Sequence, residues 1–334
     1  NPLTIVIVVS DMAKEATSRK LVDLLKKELK YKKCESLGFA SGGCISEGKS
    51  FDTDNGKIFV KVNTKSEAGE MFEGEFQSLE EIYGTDTLRV PRPIKVLPHP
   101  SGSGAVFVAE HLEMKSLRKY QSQLGTDLAR LHLDNINKLQ KETSEENKIG
   151  KCHNPMTVVK FGFPCTTCCG YIGQDNEWHN NWVTFYTRCR LQLQMDLIDK
   201  QYGDTETRSL WSRLQLKIPE FFKGMDIKPS LLHGDLWSGN AAETEDGPVA
   251  FDPASFYGHH EFDLAIAGMF GGFSKAFYDA YHKLIPKVSS FKRTFEQRHQ
   301  LSMFRYFCSF YRNHFGTSYK SSSLSIMHGL LGTS

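Results

Sequence analysis

Between Glu110 and Ser116 the chain changes its periodicity, and that switch restricts the folds open to it more than any other feature. Ahead of the switch, short apolar runs alternate with turn residues. Phe39 to Gly48 contains Gly42, Gly43 and Gly48, and Asp54-Asn55-Gly56 precedes Ile58-Phe59-Val60-Lys61-Val62. This order predicts strand, glycine-rich turn, strand, hairpin turn, strand. Residues 94–97 and 105–109 predict two more strands, joined by the turn-rich Pro98 to Gly104. Apolar residues at helical spacing mark two helices here: Ala16, Leu21, Leu24, Leu25 and Leu29 within 13–30, and Met71, Phe72, Phe76, Leu79 and Ile82 within 66–83.

Beyond Leu117 the pattern is helical. Leu124, Leu128, Leu131 and Leu133 share one segment, and helices are predicted over 181–201, 206–222, 261–283 and 293–315, interrupted by a strand pair around 240–252. The polar residues 137–156 are expected to form an exposed loop or insertion. Strands with one or two helices, followed by a helical remainder, predict an α+β chain of two lobes, 12–112 and 113–334, an arrangement that invites a ligand cleft between them. Residues 1–11 are set aside as a non-native or fragmentary extension, since Met12 follows directly.

Composition excludes some functions. Lys and Arg total 41 against 39 Asp and Glu, and a net charge of +2 gives no reason to expect nucleic acid or an anionic membrane as partner. The apolar run Leu3 to Val9 is too short to span a bilayer. Eight irregularly spaced cysteines in a chain of 334 residues suit a reducing, cytoplasmic setting better than a disulfide framework.

The strongest chemical signal is His233-Gly234-Asp235-Leu236-Trp237-Ser238-Gly239-Asn240, followed by Phe251-Asp252. Phosphoryl transfer needs a group to accept the attacking hydroxyl's proton and oxygen ligands to hold Mg²⁺ against the phosphates. Asp235 suits the first task, Asn240 and Asp252 the second, and the Asp-to-Asn spacing equals that of the kinase catalytic loop H-R-D-x-x-x-x-N. The turn Glu245-Asp246-Gly247-Pro248 can return Asp252 beside Asn240. Lys61 lies among apolar strand residues, so it calls for a partner: nucleotide phosphate oxygens and a helix carboxylate. Of Glu73 and Glu75, Glu75 shares the inward face with Met71 and Phe72. The alternative is an edge-strand lysine with its head in water. Gly42-Gly43-Cys44-Ile45-Ser46 can bring backbone N–H groups to phosphates, although an ordinary turn reads the same way.

Together with Phe161-Gly162-Phe163, Thr167-Cys168-Cys169-Gly170-Tyr171 and Phe251-Asp252-Pro253-Ala254-Ser255-Phe256-Tyr257-Gly258-His259, these motifs resemble the fructosamine/ketosamine-3-kinase family from about residue 20 onward. The resemblance implies a bilobal protein-kinase-like fold of the aminoglycoside phosphotransferase type, with a β-rich N-lobe and a mainly helical C-lobe. It implies ATP and Mg²⁺ as cofactors, and transfer of phosphate to the sugar O3 of ketosamines on glycated proteins or small amines. It implies Asp235 as base, Asn240 and Asp252 as metal ligands, a Lys61–Glu75 ion pair, and adenine contacts from the backbone of Glu110, His111 and Leu112. Trp237 is a sugar platform or a core residue anchoring its loop, and His233 and Asp263 support the catalytic loop. Residues 125–135 and 267–274 resemble the branch that favours ribulosamines and psicosamines. Fructosamine kinases, aminoglycoside- or choline-type kinases and a redox-responsive nucleotide-binding protein are the alternatives.

Cys165, Cys168 and Cys169, with Cys152-His153 upstream, allow a zinc reading, but the spacing lacks two C-x₂-C pairs. Cys44 differs, because a glycine-rich turn lowers a thiol's pKa. For it the resemblance implies a monomer able to form a disulfide-linked homodimer.

Overall fold

A computed structural model describes residues 17–42, 46–146, 157–287, 292–312 and 318–332. Two compact units emerge. The first extends to Glu80 and resumes over Pro91–Glu113; the second takes Glu81–Val90 and the chain from Met114.

The first unit is built on a five-stranded antiparallel sheet: β1 (Cys34–Gly42), β2 (Glu47–Thr53), β3 (Gly56–Asn63), β4 (Pro93–Pro98) and β5 (Ala105–Glu110), in the order β1-β2-β3-β5-β4. Alternation along β3 decides which side chains face which layer. Ile58 and Val60 join Phe51, Val106 and Val108 in a buried cluster with Leu21 and Leu25 of helix α1 (17–29). Lys61, one residue on, points to the other face, where α2 (Ala68–Gly84) packs Phe72 with its ring centroid 6.0 Å from that of Phe107. The turn between β2 and β3 uses Gly56 at φ 100°, a conformation that other residues adopt only with strain. β3 is the central strand, so the edge-strand reading of Lys61 is corrected.

The second unit is mainly helical. Helix α3 (Gln121–Glu146) is followed by the hairpin β7 (Thr167–Cys169)–β8 (Ile172–Gln174), after the short strand β6 (Lys115–Ser116) that precedes α3. Next, α4 (Trp182–Phe185) passes through a π-helical stretch, Tyr186–Gln192, into α5 (Leu193–Tyr202), and α6 (Thr205–Phe221) follows. Strand β9 (Ser230–Leu232) pairs with β12 (Phe256–Gly258), and β10 (Ala241–Glu243) pairs with β11 (Pro248–Ala250) and β6. The chain continues with α7 (Glu261–Met269), α8 (Lys275–Leu284), α9 (Lys292–Arg312) and α10 (Ser318–Leu331).

Two sequence expectations are corrected. Residues 137–146, expected in a loop, continue α3; their Lys, Gln and Glu are good helix formers, and Lys138 closes an i,i+4 ion pair on Asp134 at 2.6 Å. Residues 147–156 lie outside the described residues. The helix expected over 261–283 is two helices, broken where Gly271 and Gly272 take φ values of 68° and 94°. No helix among the described residues is long and apolar enough to cross a membrane.

Candidate active site

In the second unit the fully buried strand β9 delivers His233, Gly234 and Asp235. Gly234 turns the chain at φ 82°, and a Cβ there would lie 2.0 Å from the Ala254 carbonyl oxygen, so only glycine fits. Asp263, on the buried face of α7, holds this turn: Oδ2 accepts from the His233 N–H at 2.8 Å and Oδ1 from the Gly234 N–H at 2.8 Å. Burial alone would raise the Asp263 pKa. The His132 hydrogen bond, the positive charge that the His132 and His233 rings carry when protonated and the Gly234 N–H outweigh it, holding the carboxyl below its ordinary value. His233 stands with Nε2 3.1 Å from the Phe251 carbonyl and Nδ1 3.3 Å from the Asp235 N–H. Nε2 is therefore the protonated nitrogen and Nδ1 the acceptor, the neutral form that burial also favours by lowering the His233 pKa.

Asp235 and Asn240 are joined directly. Asn240 Nδ2 donates to Asp235 Oδ2 at 3.1 Å and to the Asp235 carbonyl at 2.9 Å. The β10–β11 pairing, and a bond from the Phe251 N–H to the Asn240 carbonyl at 3.0 Å, bring Asp252 next to this pair. Asp252 is exposed and takes φ 55°, a left-handed conformation of the kind that concentrates at working sites. With its amide nitrogen committed to Asp235, Asn240 presents a carbonyl oxygen, and Asp252 presents carboxylate oxygens. These hard donors fit Mg²⁺, which is bound through one or two such groups plus substrate phosphates. Among the described residues no group of three or more His, Cys, Asp or Glu could hold a metal alone. Cys152 and His153 of the zinc reading lie outside the described residues.

The Asp235 carboxyl is pushed up to about 7, first by burial, which the Arg305 charge opposes, then by Asp252, which the Asn240 hydrogen bond opposes. Sequence reasoning missed Arg305 and the hairpin it holds. Arg305 on α9 is buried, donates from Nη2 to Gln174 Oε1 on β8, and hydrogen-bonds Cys169. Cys169 Sγ in turn lies 3.9 Å from Asp235 Oδ1. The available signal was an arginine next to Leu301 and Phe304, where an apolar helix face was due. Cys169 is pushed up to about 12, chiefly by burial and then by Asp235. At pH 8 its thiolate fraction is on the order of a thousandfold below that of an unperturbed thiol. A short iodoacetamide pulse read by mass spectrometry should leave Cys169 unmodified in the native protein and label it after denaturation. Equal labelling in both states would contradict this raised pKa.

Trp237 is 37% exposed and lies over Gly239, where a Cβ would come 2.2 Å from the ring. It is thus a surface ring, not a core anchor.

In the first unit, Lys61 Nζ meets Glu75 Oε1 at 2.7 Å, with both side chains 13% exposed. Glu73 instead faces solvent and accepts from Gln77. Replacing Glu75 by Gln should destabilise the chain by about 1–3 kcal/mol, less than the loss from a fully buried pair because some solvent reaches both groups. A lower urea midpoint at unchanged m would record it; an unchanged midpoint would count against it. Glu110 and His111 donate their N–H groups to the Arg92 and Lys57 carbonyls, and His111 Nδ1 lies 2.9 Å from Ser50 Oγ. Leu112 follows, half-buried. Gly42 ends β1 and Ser46 precedes β2, while Gly43, Cys44 and Ile45 lie outside the described residues.

An antiparallel sheet unit with a strand-lysine–helix-glutamate pair, followed by a helical unit with an aspartate–asparagine–aspartate loop, defines a protein-kinase-like fold. The same fold is found in the aminoglycoside phosphotransferase APH(2'')-Ib with ADP bound, at a TM-score of 0.54 and 13% identity over 93% of this chain and 96% of that one. A candidate fructosamine-3-kinase from Haemophilus somnus superposes at a TM-score of 0.73, with 22% identity over 93% of this chain and 96% of that one. The fructosamine kinase family model matches residues 13–333, and the chain belongs to that family. It is 52% identical to the Mus musculus ketosamine-3-kinase, over 92% of this chain and 98% of that protein. It is 36% identical to the chloroplastic protein-ribulosamine 3-kinase of Arabidopsis thaliana, over 88% of this chain and 82% of that protein.

Proposed function

We propose that the protein transfers the γ-phosphoryl group of ATP to the sugar O3 of a ketosamine, with ribulosamines and psicosamines preferred over fructosamines. The observation that carries this reading is the Asp263-held loop, which sets the Asp235 carboxylate against the Asn240 amide. It stands in a chain 52% identical to a ketosamine-3-kinase. A phosphate at O3 destabilises the adduct and frees the amine, so the outcome is deglycation of proteins or small amines. A cytoplasmic setting, where thiols stay reduced, is part of the proposal.

Asp235 accepts the proton of the attacking hydroxyl, and a pKa of about 7 suits a base that must take and release a proton near neutrality. The Asn240 amide fixes the orientation of that carboxyl. Asn240 and Asp252 would hold Mg²⁺, which would neutralise charge on the phosphates when bound. Lys61, steadied by Glu75, meets phosphate oxygens, and the N–H groups of Gly42 to Ser46 approach them. The backbone of Glu110, His111 and Leu112 meets adenine, and Trp237 packs on the apolar face of the sugar.

The test is an acceptor panel of ribulosamine, psicosamine and fructosamine adducts with ATP and Mg²⁺, the phosphorylated carbon being located by NMR. Phosphate at O3 of the ribulose and psicose adducts, with slower turnover of the fructose adduct, is expected. Transfer to aminoglycosides or choline but to no ketosamine would reject the proposal.

A further inference from the structure

An arginine costs so much to bury that its place inside a fold calls for a reason. Arg305, on α9, is 1% exposed, and its guanidinium meets three elements at once. Nη2 donates to Gln174 Oε1 at the end of β8, and the same group hydrogen-bonds the Cys169 thiol on β7. Its Cζ lies 5.3 Å from the centre of the Phe262 ring, one residue before Asp263 on α7.

Two routes run from this side chain to the catalytic loop. The first passes through Gln174. Because Oε1 accepts from the guanidinium, Nε2 is turned the other way, to Thr167 Oγ1 at 3.2 Å and the Ala254 carbonyl at 3.4 Å. The catalytic turn rests on Ala254: its N–H donates to the His233 carbonyl at 2.9 Å, and its own carbonyl oxygen is the atom that leaves no room for a Cβ at Gly234. Thr167 continues the stitch, its hydroxyl donating to the Ser255 carbonyl at 3.1 Å. The second route passes through Cys169. Its Sγ stands 3.9 Å from Asp235 Oδ1, while Asn240 holds the other oxygen, Oδ2, at 3.1 Å. A guanidinium is a rigid planar fork, so it sets the two routes relative to each other.

The hairpin has a separate anchor. Arg190, aimed inward by the π-helical stretch, donates from Nη1 to the Asp175 carbonyl at 2.5 Å and from Nη2 to Asn176 Oδ1 at 2.6 Å. Asn176 Nδ2 in turn donates to the Cys165 carbonyl at 2.8 Å and to Thr167 Oγ1 at 2.9 Å. With the hairpin thus tied down at its base, what Arg305 adds is aim. We propose that Arg305 is a positioning residue for phosphoryl transfer: acting through Gln174 and Cys169, it holds the His233–Asp235 turn and the Asp235 carboxylate in the orientation that meets the acceptor hydroxyl. A reacting group displaced by about 1 Å loses roughly a hundredfold in rate, so lost aim is read in kcat and not in KM. This rests on the ketosamine kinase reading above and adds the residue that aligns its base.

The experiment measures kcat and the KM values for ATP and for the ribulose adduct of butylamine in the parent, Arg305→Met and Arg305→Lys. Methionine fills the space without donors, and lysine keeps the charge but not the fork. Arg305→Met should lower kcat by on the order of tenfold to a hundredfold with both KM values within about twofold of the parent, and Arg305→Lys should recover part of that loss. In an Asp235→Asn background, where no carboxylate remains to be aimed, Arg305→Met should lower the residual turnover by less than about twofold. An equal loss in both backgrounds, or KM values that rise with the fall in kcat, overturns the role as general loosening of the fold. A parental kcat in Arg305→Met also overturns it and leaves the kinase reading intact. Where methionine prevents folding, lysine decides alone: a kcat about threefold to tenfold below the parent at unchanged KM bears the role out, and a parental kcat or a raised KM overturns it. No turnover of the adduct by the parent would overturn the kinase reading and this inference together.

Discussion

Asp235→Asn should lower kcat by on the order of a hundredfold to ten-thousandfold, the usual worth of a general base, while raising the melting temperature above that of the parent at pH 8. The two effects share one cause. Burial pushes the Asp235 carboxyl from 3.8 up to about 7 in the folded chain, although Arg305 and Asn240 act against the shift. A carboxyl whose folded pKa is raised contributes its full stability below the unfolded value and loses it as pH rises toward the folded one. The melting gap between parent and Asp235→Asn should therefore be near zero below about pH 4, open between about pH 4 and 7, and stay constant above. Asparagine keeps an oxygen for the Asn240 amide, so the loop need not rearrange. Calorimetry without nucleotide or Mg²⁺, paired with turnover of a ribulosamine, measures both. Retained turnover removes Asp235 as base, and parallel melting curves at every pH remove the burial account.

Features that depend on neighbours in the chain were legible, and those that depend on distant partners were not. The strands, the Gly56 turn, and the inward face of α2 that brings Glu75 to Lys61 follow from periods of two and 3.6 and from glycine chemistry. The His233–Asn240 segment could be read because its spacing is itself the signal. The start of α3 could not. The N–H groups of Arg118, Lys119 and Tyr120 are all taken by Glu243 Oε2, more than 120 residues away, at 2.9, 2.7 and 3.3 Å. Gln121, which grips the Phe270 turn, and Arg305, which bonds the β7–β8 hairpin beside Asp235, act over similar separations. Where local evidence misled, it did so for local reasons. The apolar run through Leu264 to Phe277 concealed a helix break that Gly271-Gly272 had already signalled, and the polarity of 137–146 was taken for a loop although its residues favour helix.

Asp263→Ala should destabilise the chain by roughly 3–5 kcal/mol and abolish turnover, because a single fully buried carboxylate accepts three hydrogen bonds at once. Two come from the His233 and Gly234 N–H groups, and the third from His132 Nε2 at 3.1 Å. Behind His132, Nδ1 lies 2.8 Å from the Tyr281 hydroxyl, and that hydroxyl lies 3.1 Å from His260 Nδ1. With His132 donating to Asp263 and Tyr281 donating to His132, the tyrosine oxygen can accept from His260, so one carboxylate sets the direction of the whole buried chain. Asp263→Asn should therefore fail almost as badly as alanine, since its amide nitrogen must confront one of three donors wherever it turns. Because the folded pKa of Asp263 is lowered, its contribution is present above the unfolded value of 3.8 and lost as pH falls through the folded one. The parent should thus shed this stability only below about pH 4, whereas the variants lack it at every pH. Urea titrations at pH 7 and pH 3.5 measure the difference. An Asp263→Asn protein that resists urea as well as the parent at pH 7, yet has lost turnover, would move Asp263 from holding the loop to acting on the substrate.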